Sequence, residues 1–298
     1  MTAMFPILFR FSSLSSLVAA IWLQTISCVL ADARIGGRVH EFGTSEPIGQ
    51  ADVQVFTVPK EEWDELRTGK KLVDKKRSPD LADKTKLDGT YLFDSVTGTH
   101  AVLRVKHVGF VRNPTDKYLV LDKEYKIDVP LIDNAKVDVS APNIQYVAAV
   151  VTELDRIFGE SATKQQLKWD AIGGFNLPVP SKRLFAIEFA RRNPAIMDQV
   201  PAVKGYVNSD PKALKRAAKI WSEGVDEKGF TLPAAGSLDG IDSAVEADIF
   251  VNLLRNTSVD SEKRAVLVHK FNERRNANFK LNLETLNARI LDERDKLF

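Results

Sequence analysis

The stretch "TKLDGTYLFDSVTGTHAVLRVKHVGF", residues 85–110, decides how the first half of the chain folds. An Asp-Gly pair at Asp88 and Gly89 and a second glycine at Gly98 punctuate it. Both residue types tolerate the backbone angles of tight hairpin turns. Between and after the turns the chain alternates. Ala101, Leu103 and Val105 point one way, and Val102, Arg104 and Lys106 the other. That period of two is the signature of half-buried strands.

The same pattern extends in both directions. "RIGGRVHEF" from Arg34 reads as an opening strand, and "ADVQVFTV" places Ala51, Val53 and Val55 on one face. "KYLVL" and "EYKIDVPLI" close the series. Several short strands joined by Gly/Asp turns predict an antiparallel sandwich over residues 34–138. One long interruption, residues 59–84, is charged. In "PKEEWDELRTGKK", Pro59 begins a short helix with acids in its first turn and bases toward its end, which suits the helix dipole. Trp63 and Leu66 share a face of that helix. They are read as capping an open end of the sandwich, with a binding loop as the alternative because long insertions are often functional.

After Asp138 the period becomes helical, so residues 139–298 read as an all-α domain. Val147, Val150, Val151, Leu154, Ile157 and Phe158 form one stripe that Gly159 ends. Helices follow near Lys182 to Arg192, from Asp210-Pro211 to Gly224, and along Ile241, Val245, Ile249 and Leu253. A last seam runs through Phe279, Leu283, Leu286, Ile290 and Leu297. The fold class expected is thus α+β and multidomain, a β-sandwich followed by a helical domain.

Residues Ile35 to about Leu131, a third of the chain, resemble a known family. "GGRV", "PIGQADVQV" and the stretch quoted above are similar to the transthyretin-like domain named as the regulatory domain of metallocarboxypeptidases. Thr85, Asp88-Gly89, Tyr91, Gly98-Thr99 and Gly109-Phe110 fill the family's pattern. The chain departs from it where Gln50 separates Gly49 from Ala51, where His100 replaces a tyrosine, and in the length of the 59–84 insertion. The resemblance implies a non-catalytic β-sandwich accessory, of a kind found on many exported bacterial proteins. Fold alone does not give function.

Composition narrows the function. The chain has 298 residues, and its 42 basic and 40 acidic residues are interleaved rather than sorted into a basic stripe, which speaks against nucleic acid. The cluster Lys70, Lys71, Lys75, Lys76 and Arg77 is diluted by neighbouring acids and reads as a solvated loop. Near the start, Arg10 precedes an apolar run, Leu14 to Leu23, and Leu30-Ala31-Asp32-Ala33 supplies small residues for a signal peptidase. Cleavage after Ala33 makes residues 1–33 a signal peptide. Acylation of Cys28 or an uncleaved anchor are the alternatives, and either would be the protein's one membrane attachment. The expected location is periplasm, cell surface or medium, in a bacterium. Cys28 is the single cysteine, so the mature chain has no disulfide to lean on.

No catalytic signature emerges. His40, His100, His107 and His269 lack a His-Glu-x-x-His arrangement, and "AGSLDG" places Ser237 directly after Gly236, unlike a nucleophile elbow. His269 and Glu273 are spaced to touch on one helix. No cofactor is expected. The reading is an exported, non-catalytic binding or structural protein whose partner is another envelope or secreted protein. The candidate contact residues are Trp63, Leu66, Lys70, Lys71, Tyr91 and Tyr118. Two alternatives stay open: a carbohydrate-binding accessory that stacks sugars on Trp63, Tyr91 and Tyr118, and a hydrolase using carboxylates of the helical half.

Overall fold

The computed structural model describes residues 33–67, 77–111, 116–159, 161–226, 229–234, 238–256 and 261–274. Residues 1–32, Lys70 and Lys71, Gly236 and Ser237, and the seam from Phe279 to Leu297 lie outside them.

The β-half is a sandwich of two sheets, as its alternation predicts. Strands β1 (Ala33–Glu41), β4 (Thr90–Val96), β6 (Phe110–Val111), β8 (Tyr125–Lys126) and β9 (Val129–Asp133) make the first. Its order is β4-β1-β9-β6, with β8 also on β1. The second runs β3-β2-β5-β7, from β2 (Asp52–Val58), β3 (Leu81–Lys84), β5 (His100–Lys106) and β7 (Lys117–Val120). Between the sheets lie Ile35, Val39, Phe93 and Val129 from one and Val53, Val55, Leu103 and Val105 from the other.

Two features differ from an all-antiparallel sandwich with a bare insertion. Strand β1 pairs antiparallel with β4 but parallel with β8 and β9, so the last strands return beside the first in the same direction. The far end of the insertion is itself the edge strand β3, antiparallel to β2. Strand β3 is short and its exposed residues are Ala82, Asp83 and Lys84, which hides its pattern.

The motif residues explain themselves locally. Thr85, buried at the crossing from β3 to β4, accepts from the Ala51 amide at 2.9 Å and donates to the Ile48 carbonyl at 2.7 Å. Asp88 accepts from the amide and hydroxyl of Thr90, which closes the turn. The Tyr91 hydroxyl crosses the core to the Ile127 carbonyl, 2.7 Å away.

The helix of the insertion, α1 (Lys60–Arg67), does not close an end of the sandwich. It lies on the outer face of the second sheet, where Trp63 and Leu66 pack on Phe56, Val58, Val102 and Tyr118. These strand residues have the opposite parity to Val53, Val55 and Leu103, so their side chains leave the sheet on the other side.

The helical half packs against the first sheet at β6 and β9 and leaves the outer face of β4 open, with Leu92 40% exposed. Its helices are α2 (Ile144–Phe158), α3 (Gln165–Gly174), α4 (Val179–Arg192), α5 (Ile196–Gln199), α6 (Pro201–Asn208), α7 (Pro211–Glu223), α8 (Ser243–Asn256) and α9 (Ser261–Arg274). Asn143 caps α2, its side chain accepting from the Tyr146 amide. Helix α4 packs against α2, α6 and α7, and α6 against α8. The helical core extends into the sandwich through Phe42, Val111, Ile132 and Val137. No described helix is long and apolar enough to cross a membrane.

Helices α3, α5 and α6 are not among those the periodicity predicts. Helix α3 is buried on almost every side, Lys168 and Asp170 included, so it carries no stripe. Helices α5 and α6 are short and set off by Pro194 and Pro201, which read as breaks.

One glycine of "IGGRV" is required by close packing. A β-carbon on Gly37 would lie 1.9 Å from the Ile127 carbonyl oxygen, in the link between β8 and β9. Gly37→Ala is expected to cost about 3 kcal/mol or more, read from urea unfolding, because backbone and not a pliant side chain must move. An unchanged midpoint would show that β8 does not lie against β1.

Candidate functional site

Three places collect polar or aromatic side chains: the α1 platform, the seam between sandwich and helices, and the interior of the helical half.

On the platform, the Trp63 ring lies 5.0 Å from His100 and 6.4 Å, edge on, from Tyr118. Arg67 covers another side of the indole at 5.2 Å. Trp63 of the long insertion and His100 at the start of β5 thus touch each other. Burying Leu66 contributes about 2 kcal/mol and the larger indole about 4 kcal/mol. The indole nitrogen of Trp63 is buried with no hydrogen-bond partner, which costs about 1–3 kcal/mol. Burial wins, and α1 stays docked. Toward the other end of the same face, Arg104 makes a paired contact with Asp116, nitrogen to oxygen at 2.8 and 2.5 Å, and lies 5.1 Å from the Phe56 ring.

The candidate contact residues therefore sit apart. Trp63 and Leu66 are buried beneath α1, and Tyr118 is partly buried beside them. Tyr91 is in the core between the sheets, where burial pushes its hydroxyl well above the ordinary tyrosine range. Lys70 and Lys71 are outside the described residues.

At the seam, the buried Glu41 carboxylate accepts from Lys136 Nζ, at 2.8 Å to each oxygen, and from the Thr44 hydroxyl at 2.9 Å. Hydrogen bonding to Glu41 raises the Lys136 ammonium's pKa. The ammonium also lies 5.1 Å from the Tyr146 ring, whose hydroxyl takes the Asp133 amide at 3.1 Å. Strand end, connector and α2 are thus tied at one point.

Inside the helical half, Asp248 on α8 is a hub. Its Oδ1 accepts from Trp169 Nε1 at 3.0 Å. Its Oδ2 accepts from Lys182 Nζ at 2.9 Å, the Tyr206 hydroxyl at 2.9 Å and Asn252 Nδ2 at 3.1 Å. Burial followed by the Asp248 charge drives the Tyr206 hydroxyl well above its usual pKa. The donors come from α3, α4, α6 and α8, so one carboxylate ties four helices together. A second network joins Asp155, Lys168, Arg192 and Glu188 across α2, α3 and α4. The Arg191 and Arg192 guanidiniums, Arg191 foremost, hold the Glu188 carboxyl below its usual pKa.

The sequence analysis missed this hub. Its members are scattered over eighty residues, and Lys182 reads as an ordinary helix start. One signal was available: Asp248 and Asn252 lie four apart on the face that also carries Val245 and Ile249, and a polar pair inside an apolar stripe needs partners.

Among the described residues, no group of three or more His, Cys, Asp or Glu side chains is placed to hold a metal ion. His269 and Glu273 do meet as spaced, at 3.1 Å on an exposed helix face.

Comparison with known proteins adds little. No protein-family model matches the chain, and no curated protein matches it. Among solved structures, the Bacillus anthracis TIE protein is similar over 34% of this chain and 16% of that one, at 10% identity and a TM-score of 0.25. The chain spans less than a fifth of that protein's length, and the likeness bears on no functional argument. A β-sandwich followed by helices is what the architecture establishes.

Removing the hub is expected to be severe. Asp248→Ala leaves the Lys182 ammonium buried without its carboxylate, and a loss of about 3–5 kcal/mol is expected in chemical denaturation. A loss under about 1 kcal/mol would mean that Lys182 reaches solvent and the hub does not hold the helices.

Proposed function

We infer that the chain is an exported, non-catalytic binding or structural protein. Its sandwich, of the carboxypeptidase regulatory-like kind, acts as a carrier braced by α1 on one sheet and by the helical half at β6 and β9 of the other, and its contact surface lies on loops that the carrier holds out. The partner is another envelope or secreted protein.

The observation that supports this most is a pair of bare apolar side chains. Leu87 and Val108 are 85% and 93% exposed, on the loops that follow β3 and β5. Lys84 and Lys106, the last residues of those strands, both pair with Asp52 of β2. The two loops therefore leave the same end of the second sheet, with only β2 between their strands. A single exposed apolar residue needs no explanation, but two on neighbouring loop tips offer a contact point.

The alternatives find less support. A general acid or base needs an oxygen open to substrate, and Asp248, the carboxylate at the centre of the helical half, has both oxygens engaged by internal donors. Sugar stacking needs open aromatic faces, and Trp63 and Tyr91 are packed while Tyr118 is half-buried against Trp63.

Co-purification from bacterial envelope extract tests the reading. The wild-type chain is expected to recover a reproducible protein partner, and the double variant Leu87→Asp, Val108→Asp is expected to lose it about tenfold or more, the equivalent of about 1.4 kcal/mol. Both substitutions are on exposed loop tips and should leave the fold intact. Retention of the partner by this variant, but not by Glu61→Lys with Asp64→Lys on α1, would move the surface to the insertion. No reproducible partner from the wild type would contradict the reading.

A further inference from the structure

Strand β4 ends the first sheet, and no strand among the described residues pairs with its outer side. Its ladder decides which backbone groups face outward. The Gly89 carbonyl accepts from the Val39 amide at 2.8 Å, and Tyr91 and Phe93 lie opposite Gly37 and Ile35. Alternate residues bond across an antiparallel ladder, so Gly89, Tyr91 and Phe93 turn their backbone groups to β1. Thr90 and Leu92 turn theirs away, and so does the Asp94 amide, which shares a peptide plane with the Phe93 carbonyl. Thr90 is already engaged: its carbonyl accepts from the Lys86 amide at 2.9 Å, and its amide donates to Asp88 Oδ1 at 3.0 Å. Beyond Asp94 the register shifts, because Ala33 lies opposite Val96 where regular pairing would place Ser95. The open window is Leu92 to Asp94.

Native sheets blunt an open edge with charge, shortness or a cover. Strand β3 exposes Asp83 and Lys84, β6 has two residues, and on β7 the Tyr125 hydroxyl takes the Val120 carbonyl. Strand β4 presents the exposed Leu92 instead. That side chain lies so close over Gly36 that a β-carbon there would be 3.1 Å from Leu92 Cδ1. The only charge on β4 is Asp94, which Arg34 of its own chain holds at 3.2 Å.

We propose that β4 pairs antiparallel with β4 of a second copy of this chain, about a two-fold axis at Phe93, so that the two first sheets run on as one. Hydrogen bonding and charge select that register. An axis at Leu92 would set Asp94 against Thr90, whose backbone groups are engaged. An axis at Asp94 would oppose two carboxylates, which is destabilising. With the axis at Phe93, each Leu92 carbonyl accepts from the other copy's Asp94 amide, and each Asp94 side chain faces a leucine. The two Phe93 rings, one at the rim of each core, meet side by side. A two-fold contact of this kind closes on itself, so association stops at the dimer.

Sedimentation of the purified chain tests the pairing, from about 5 to about 300 µM because so short a seam makes a weak pair. The mass is expected to rise with concentration toward that of a dimer. Leu92→Asp opposes like charges twice across the seam and is expected to raise the dissociation constant about tenfold or more. Leu92→Lys, whose ammonium faces the other copy's Asp94, is expected to keep the dimer at least as tight as the wild type. Both variants alter an exposed side chain, and circular dichroism and melting at the lowest concentration check that the fold is kept. A monomer at every concentration overturns the proposal and leaves the edge to another segment of this chain or to a strand of another protein. A dimer indifferent to Leu92→Asp, or weakened equally by both variants, overturns it as well.

Discussion

The turn after the first strand comes so close to the helix Ile144–Phe158 that no side chain fits between them. A β-carbon on Gly43 would lie 2.8 Å from the Val150 amide nitrogen, and the backbone there has φ +94°, which glycine alone adopts without strain. Much else follows from this contact. It brings Phe42 into the helical core, where its ring lies 5.1 Å from Phe175. It also sets Glu41 where Lys136 and Thr44 can satisfy it. Since β1 pairs on one side with β4 and on the other with β8 and β9, the strand that makes the contact is also the spine of its sheet. The sandwich and the helices share a core through it.

The two sheets of the sandwich are braced by different means. The first sheet is braced by the helical half through Val111, Ile132 and Val137. The second is braced by a single short helix that comes from within its own sheet, held by Trp63 and Leu66. The outer face of β4 stays open, Leu92 being 40% exposed. The interior of the helical half is organised by charge as well as by packing. Asp248 gathers four donors, and a buried charge of that kind specifies which helices meet more than it adds stability over an apolar core.

The architecture was legible where local rules act alone. Alternation in residues 101–106 and 51–58 revealed the strands, the Asp88-Gly89 turn revealed their connection, and the stripe from Val147 to Phe158 marked the change to helix. Reading failed where tertiary contacts decide. The parallel return of Tyr125–Lys126 and Val129–Asp133 beside β1 has no local signature, because pairing direction is a property of the whole sheet. Helix α3 gave no period because it is surrounded. Trp63 and Leu66 were rightly read as sharing a face, but the sequence does not say which surface a helix covers. Of the candidate contact residues, Tyr91 belongs to the core, and the exposed tips Leu87 and Val108 carry no motif that would single them out.

Calorimetry of the purified chain tests most directly whether sandwich and helices form one body. A shared core at Phe42, Ile132 and Val150 predicts a single heat-absorption peak whose calorimetric and van't Hoff enthalpies agree. Two separated transitions, or a calorimetric enthalpy about twice the van't Hoff value, would contradict it and make the two halves independent domains.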